Sequence, residues 1–456
     1  MRNIVNLILC LVFFQISAQK KQILYNFAEL PQTLLLNPAS ELNYKFHLGL
    51  PFLSGVSSDY GSKGVVLSDI FAKDNRSIND KIAEAIQNLS YRDFTNINTQ
   101  IEILSGGFRF KDDYYISFGF YQELDAIGYY PKDALDFISE GNAPHINRAF
   151  SAAGIRYKVD FLGVLHAGIS KKVNENLTIG GRFKIYSSAL NLESNNNTGL
   201  FTTNGGTNNI YTHYLTDVNL KFRTSGLIEN NEYITDPSSY LKNTFFGSNM
   251  GIGFDFGATY RITPQLEFSG SILDLGFINH NTNTKNTSVT GNFVFEGVAL
   301  EFNSDDNFEN WNEIDQRFQD EIPVTDDFES YISWRPTKLN LALKYSFGEY
   351  RSKVCYDNTY KNFYTDAIGV QLYNMYRPLS SQLALTAFYE KAITNKIHTK
   401  VTYTIDDFSF SNIGVGFSLN LGSFNFYGLV DNLLEYGDLS STNSASFQLG
   451  INLFFN

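Results

Sequence analysis

From Met250 to Arg261 the chain alternates without a break. Met250, Ile252, Phe254, Phe256, Ala258 and Tyr260 fall on one face, and Gly251, Gly253, Asp255, Gly257, Thr259 and Arg261 on the other. Period two over such a length makes an extended strand with one apolar and one wet face. The pattern recurs: Leu177, Ile179, Phe183 and Ile185 oppose Thr178, Gly180, Arg182 and Lys184, and Leu339, Leu341, Leu343, Tyr345 and Phe347 oppose Asn340, Lys344 and Ser346. Such segments exceed the usual strand of ~5–6 residues and match the ~9–11 that a tilted strand needs to cross a bilayer. Past the first 18 residues no apolar run approaches the ~20 of a spanning helix. The nearest candidate, Phe408 to Val430, is uncharged throughout but places Gly, Ser or Asn at nearly every second position. With 28 Tyr and 40 Phe against 10 Pro and 3 Met, composition favours strands. The expected fold is all-β: an antiparallel transmembrane β-barrel of about 14 strands (roughly 12–16), because only a closed sheet pairs every backbone group in lipid.

Arg2 and Asn3, the apolar run Ile4 to Phe14 and then Ile16-Ser17-Ala18 have the three-part plan of a signal peptide. Residues 1–18 are expected to be removed, leaving 19–456 as one barrel domain in the outer membrane of a diderm bacterium. Cys10 lies within the apolar run, so the mature chain keeps only Cys355, which cannot form an internal disulfide and reads as an ordinary strand residue. A net charge of −12 with no basic cluster excludes a nucleic-acid partner. The expected partners are outer-membrane lipids and the barrel-assembly machinery. Gln448, Gly450, Leu453 and Phe455 follow the polar-x-Gly-x-x-apolar-x-aromatic pattern that resembles a C-terminal assembly signal, an ordinary terminal strand being the alternative.

Short polar connections at Lys111-Asp112-Asp113, Val173 to Asn176, Thr263-Pro264 and Gly422-Ser423 read as tight turns on the periplasmic rim. Longer polar segments, 53–96, 127–147, 193–209, 225–248 and 303–334, should be extracellular or folded into the lumen. Strand-like Tyr211 to Thr224 breaks the up-down alternation: counted as a wall strand, it puts the Thr263 turn on the wrong side. A plug or a split strand would each repair the count. Three short helices are expected, in loops or lumen. Ser77 caps Ile78 to Leu89; Pro131 opens and Gly141 closes a second; Phe308, Trp311, Ile314, Phe318 and Ile322 make the stripe of a third.

No nucleophile elbow, zinc helix, paired-Cys motif or Walker loop occurs. The six histidines have no ligand spacing between them. Between Glu301 and Glu329 eleven acidic residues stand against the single Arg317. This is a solvated acidic loop, with weak calcium binding through Asp305, Asp306 and Asn307 the sharper alternative. No cofactor, metal or catalytic residue is assigned, and the chain is read as not an enzyme. Arg182, Lys184, Asp255, Arg261, Glu267 and Lys344 would line the lumen if the alternation holds.

Leu36-Asn37-Pro38-Ala39, Leu177-Thr178-Ile179-Gly180-Gly181-Arg182-Phe183-Lys184, Asp255-Phe256-Gly257-Ala258-Thr259-Tyr260 and Asp274-Leu275-Gly276-Phe277-Ile278, taken in order, resemble a Bacteroidetes family of uncharacterised outer-membrane barrels. That family is similar in turn to the fatty-acid-transporter-like barrels. The resemblance implies a partly occluded lumen with the N-terminal segment, 19–43, tucked inside at Asn37, Pro38 and Ala39; a plain turn is the alternative reading of those three residues. Three roles follow as expectations. The first is transport of a small or hydrophobic solute, which requires a ligand-sized apolar cavity. The second is a structural or assembly partner of an envelope or secretion complex, docking through acidic loops and requiring a plugged lumen. An outer-membrane hydrolase is the third, and requires a nucleophile and base in contact at the outer rim.

Overall fold

A computed structural model describes residues 22–28, 30–206, 210–229, 232–297, 309–349, 364–379, 381–438 and 440–455. The expected signal peptide, Cys10, Cys355 and the Asp305 to Asn307 group lie outside these residues. Fourteen antiparallel wall strands form one closed ring. In chain order they are β1 (Phe46–Gly49 continued by Val56–Ser62), β2 (Phe94–Phe110), β3 (Tyr114–Tyr129), β4 (Tyr157–Lys172) and β5 (Leu177–Ser194). There follow β6 (Asn249–Arg261), β7 (Leu266–His280), β8 (Tyr331–Trp334 continued by Lys338–Glu349), β9 (Tyr364–Met375) and β10 (Gln382–Thr394). The last four are β11 (Ile397–Ile405), β12 (Asn412–Leu421), β13 (Phe424–Asp431) and β14 (Ser444–Phe455). Each pairs with its neighbour in sequence, and β14 pairs with both parts of β1, Phe46 opposite Phe455 and Val56 opposite Leu449, so the ring has no free edge.

Period two decides which face meets lipid. On β6, Ile252, Phe254, Phe256 and Tyr260 point out and are exposed, while Asp255 and Thr259 are buried on the enclosed side. Phe110, Tyr260, Phe424 and Phe455 stand exposed near the short-turn rim, as an aromatic girdle does. Among the described residues no helix is long and apolar enough to cross a membrane.

The four short connections expected on one rim all lie there, the Thr263 turn included. What removed the difficulty is Tyr211–Ser225, which is neither plug nor split wall strand. It pairs with Thr198–Gly205 and Thr284–Phe295, joins the wall ladder only where its residues 222–225 meet the tip of β5, and so belongs to a sheet standing beyond the long-loop rim. Alternation reports that one face is covered, not that lipid lies on the other, so an extramembrane strand carries the same sequence signal as a wall strand.

Other boundaries differ as well. The expected 53–96 loop contains wall strand Val56–Ser62, and 193–209 contains strand Thr198–Gly205. Between its two parts β1 leaves the ladder at residues 50–55, with Phe52 at φ +63° and Pro51, Phe52 and Leu53 exposed on the outside. The expected helices form at the outer rim and not in the lumen. Ile78–Asn88 starts where Ser77 Oγ accepts from Asp80 N at 3.1 Å, and Lys132–Glu140 ends at Gly141 with φ +72°. Glu309–Glu321 packs Phe318 edge-on to Phe293 at 5.0 Å.

The strand order puts all the long loops on one rim, which is expected to face outward. In a Cys355→Ser background, Asn219→Cys should react with a membrane-impermeant maleimide on intact cells, and Asp112→Cys only after permeabilisation. The reverse result would invert the barrel.

Candidate functional site: a plugged, charge-lined lumen

A ring of this size encloses more space than its own inward side chains fill, and residues 22–45 run through the surplus. Pro31 opens a single 3-10 turn, Pro31–Leu35, because its fixed φ suits a first helical position and it has no N–H to leave unpaired. Ile23, Leu24, Phe27 and Leu30 bury themselves against Tyr427 and Leu429 of β13. Leu35 packs on Tyr121, Leu162, Val164, Tyr186 and Ile278, inward residues of β3, β4, β5 and β7. Polar contacts come from all round the wall. Gln32 Nε2 donates to Glu102 Oε2 (3.1 Å) and Asn452 Oδ1 (3.0 Å), Lys400 Nζ to the Tyr25 carbonyl (2.7 Å), and Ser271 Oγ to the Leu36 carbonyl (2.5 Å).

Asn37, Pro38 and Ala39 seat this segment on β5 and β6. Asn37 Oδ1 accepts from Ala39 N at 2.9 Å, an Asx turn. Thr259 Oγ1 donates to the Ala39 carbonyl at 3.2 Å. A Cβ on Gly257 would collide with Asn37 Oδ1, and one on Gly180 with the Pro38 carbonyl. The two glycines leave the groove in which the turn lies.

The six inward candidates fall into three groups. Arg182 lies 3.2 Å from Asp255 and also donates to the Leu34 carbonyl; Lys184 bridges Asp255 (2.9 Å) and Asp274 (2.6 Å). Nearer the turn rim, Arg261 pairs with Glu41 and stands 3.8 Å from Glu267. Lys344 meets Glu390 at 2.5 Å, and Glu390 also meets Lys400 at 3.1 Å. In β14, Gln448 and Gly450 face inward and Leu453 and Phe455 face lipid; Gln448 Nε2 donates to Tyr427 Oη at 3.2 Å.

Sequence reasoning missed the rest of the network. Lys338 reaches Asp274 (2.7 Å) and Glu123 (3.9 Å), and Arg335 reaches Glu123 (2.7 Å) and Asp160 (3.2 Å). Asp255, Asp274, Glu123 and Asp160 thus alternate with Arg182, Lys184, Lys338 and Arg335, crossing the lumen from β8 to β3 and β4. Arg377, between β9 and β10, clamps Asp125 with two bonds of 2.6 and 2.8 Å. Carrying period two through Tyr115, Ser117, Gly119, Tyr121, Glu123 and Asp125 would have placed both acids inside. Nothing local announces the partners, which lie far along the chain. Outside the spanning strands, burial pushes the Asp407 carboxyl up to about 7 despite Lys63 at 3.6 Å.

Two cavities on the enclosed face have a volume of ≈ 10 Å³ each, room for about one water, and neither is ligand-sized. One Ser–His contact lies near the outer rim: Ser333 Oγ to His280 Nε2 at 2.9 Å. Both residues are buried, and His280 Nδ1 has no orienting partner. Among the described residues no three His, Cys, Asp or Glu side chains converge as metal ligands.

Breaking a buried ion pair by removing one partner leaves the other charge uncompensated, at a cost of about 3–5 kcal/mol. Asp255→Asn should therefore lower unfolding free energy in denaturant titrations by that order. Asn340→Ala, which loses a neutral bond to Ser271 (3.2 Å), should cost roughly 1–3 kcal/mol at most. Equal losses would mean that the network is not what holds the lumen closed.

Comparison with known proteins adds a family and a set of shapes. No curated protein matches the sequence. A FadL homologue of Pseudomonas aeruginosa is 10% identical, with 97% of this chain and 100% of that chain covered and a TM-score of 0.46. The Pseudomonas putida toluene transporter TodX is 9% identical over 96% and 98%, TM-score 0.38. The translocator domain of the autotransporter NalP from Neisseria meningitidis is 7% identical over 92% and 91%, TM-score 0.33. These are likenesses of shape only, too loose to carry a function. The profile of a family of unknown function (DUF5723) matches residues 38–431, from Pro38 of the seated turn to Asp431 at the end of β13, and the chain belongs to that family.

Proposed function

We propose that this protein is an outer-membrane barrel that passes a small hydrophobic solute, and that residues 22–45 are a plug which shifts to let it through. One observation carries this reading: the inner wall holds apolar patches against which the plug packs its own apolar side chains. Tyr427 and Leu429 lie under Ile23, Leu24, Phe27 and Leu30, and Leu162, Val164, Tyr186 and Ile278 lie beside Leu35. A barrel built only as a wall gains nothing from apolar inward residues, whereas a path for an apolar solute needs them. The water-sized cavities belong to the closed state. Export by residues 1–18, and β14 read by assembly machinery through Gln448, Gly450, Leu453 and Phe455, are part of the same proposal; no catalytic role is.

A second reading, a docking partner for envelope or surface proteins, is favoured by the sheet of Thr198–Gly205, Tyr211–Ser225, Thr284–Phe295 and Val324–Asp327, which rises beyond the rim and does no work in the wall.

Deleting residues 22–44 behind the intact export segment separates the two. The full-length protein should be silent in a planar bilayer. The deletion should conduct steadily and admit an apolar dye such as N-phenylnaphthylamine to cells. A deletion barrel that folds, shown by heat-modifiable migration, yet stays silent to ions and dye would sink the transport reading.

A further inference from the structure

Near the long-loop rim, β13, β14 and β1 bring three inward residues to one level. Ser446 lies opposite Asp431 on one side and opposite Asp59 on the other. All three side chains are buried. They line a cavity of ≈ 10 Å³ together with Ser57, Gln448 and, from the N-terminal segment, Ile23.

The hydrogen bonding of this cavity is incomplete in one direction. Asp431 Oδ2 accepts from Ser446 Oγ at 2.9 Å and Asp59 Oδ2 from Asn96 Nδ2 at 3.4 Å. Asp431 Oδ1 and Gln448 Oε1 are enclosed acceptors without a donor, and Thr402 Oγ1 is enclosed without a partner. Two of the free groups meet beside Gly414: a Cβ there would meet Thr402 Oγ1, Asp431 Oδ1 at 2.6 Å and Ile23 Cδ1 at 2.7 Å. Among the described residues no ion pair reaches the Asp431 carboxylate, and the nearby Lys400 is committed to Glu390 and the Tyr25 carbonyl. Elsewhere in the lumen the inward acids Asp125, Asp160, Asp255 and Asp274 each face an Arg or Lys within 4 Å. A buried carboxylate with spare lone pairs is costly unless a positive charge answers it.

We propose that this cavity binds a hard divalent cation of calcium type through the Asp59 and Asp431 carboxylates, Gln448 Oε1 and the flanking serine hydroxyls. Every donor is oxygen, which selects hard cations over zinc or copper. Room for one water-sized sphere suits an ion stripped of its shell, and magnesium gives up its waters reluctantly. Two carboxylates with neutral oxygens make a low-charge set, which places affinity in the weak extracellular range, a dissociation constant of roughly 0.1–1 mM. The ion would tie the β14–β1 seam to β13. This inference stands apart from the transport proposal and does not need it.

The test uses the full chain folded in detergent and stripped with EDTA. Calcium should raise its unfolding temperature with a midpoint in that range, magnesium should act at least tenfold more weakly, and terbium should give tyrosine-sensitised emission, through Tyr427 beside Gln448, that calcium displaces. Asp431→Asn should unfold at a higher temperature than the stripped wild type, because the uncompensated charge is gone, and should lose the calcium response. Gly414→Ala, which fills the space between Thr402 and Asp431, should lose the response with its aspartates intact. Asp326→Asn, in the exposed outer sheet, should respond as wild type. A wild type indifferent to calcium, or an Asp431→Asn or Gly414→Ala protein that responds as wild type does, would overturn the assignment.

Discussion

Closure of β14 on β1 makes the rest of the molecule necessary. An open edge cannot lie in hydrocarbon, since every unpaired backbone group there costs several kcal/mol, so the sheet must meet itself. Fourteen strands make a ring whose interior the wall residues alone do not fill. The interior then has to be filled, flooded or bridged. Here it is filled by residues 22–45 and bridged by the chain of charges from Arg182 to Arg335, and the two devices share a residue: Arg182 faces Asp255 across the wall and the Leu34 carbonyl of the plug. Barrel width, plug and ion network are one problem with a common solution.

How much of this is legible in sequence follows from the range of each interaction. Strand identity and facing are local, so Met250 to Arg261 declares both, and Ser77 and Gly141 mark helix ends through the hydrogen bonds and backbone angle they supply. Tyr211–Ser225 misleads because a half-covered strand alternates whatever covers it. β1 hides because Pro51 to Gly55 interrupts it, leaving Val56–Ser62 too short and polar to read as a wall strand. The lumen is half legible: Asp255 and Arg182 belong to segments that alternate cleanly, whereas Arg335 sits in the break between the two parts of β8 and Arg377 just past β9, where no periodicity points.

Small residues show how close the plug lies. In a membrane strand an inward glycine forfeits side-chain packing and adds backbone freedom, so it persists where something else needs the space. At Gly180 and Gly257 the Asn37-Pro38-Ala39 turn takes that space, and at Gly450 the Ser54 carbonyl does. Gly180 and Gly257 lie within motifs by which the sequence resembles its family, so that resemblance describes the groove for the turn more than the wall.

The same contacts limit how the plug can move. Its apolar half, Ile23 to Leu30, packs on β13 and is held by Lys400 of β11 at the Tyr25 carbonyl and by Ser269 of β7 at Asn26; its turn is anchored to β5 and β6; Gln32 holds β2 and β14. Sliding the whole segment would break all three anchors together. On the transport proposal, releasing the Ile23 to Leu30 half alone gives up the Tyr25 bond to Lys400 and the Asn26 bond to Ser269 but uncovers Tyr427 and Leu429 while the Asn37 turn and the Arg182-to-Arg335 network stay in place, which leaves the wall braced. A partial opening on the β13 side is therefore the cheaper motion, and it starts beside the Asp431 cavity, where Ile23 meets the seam.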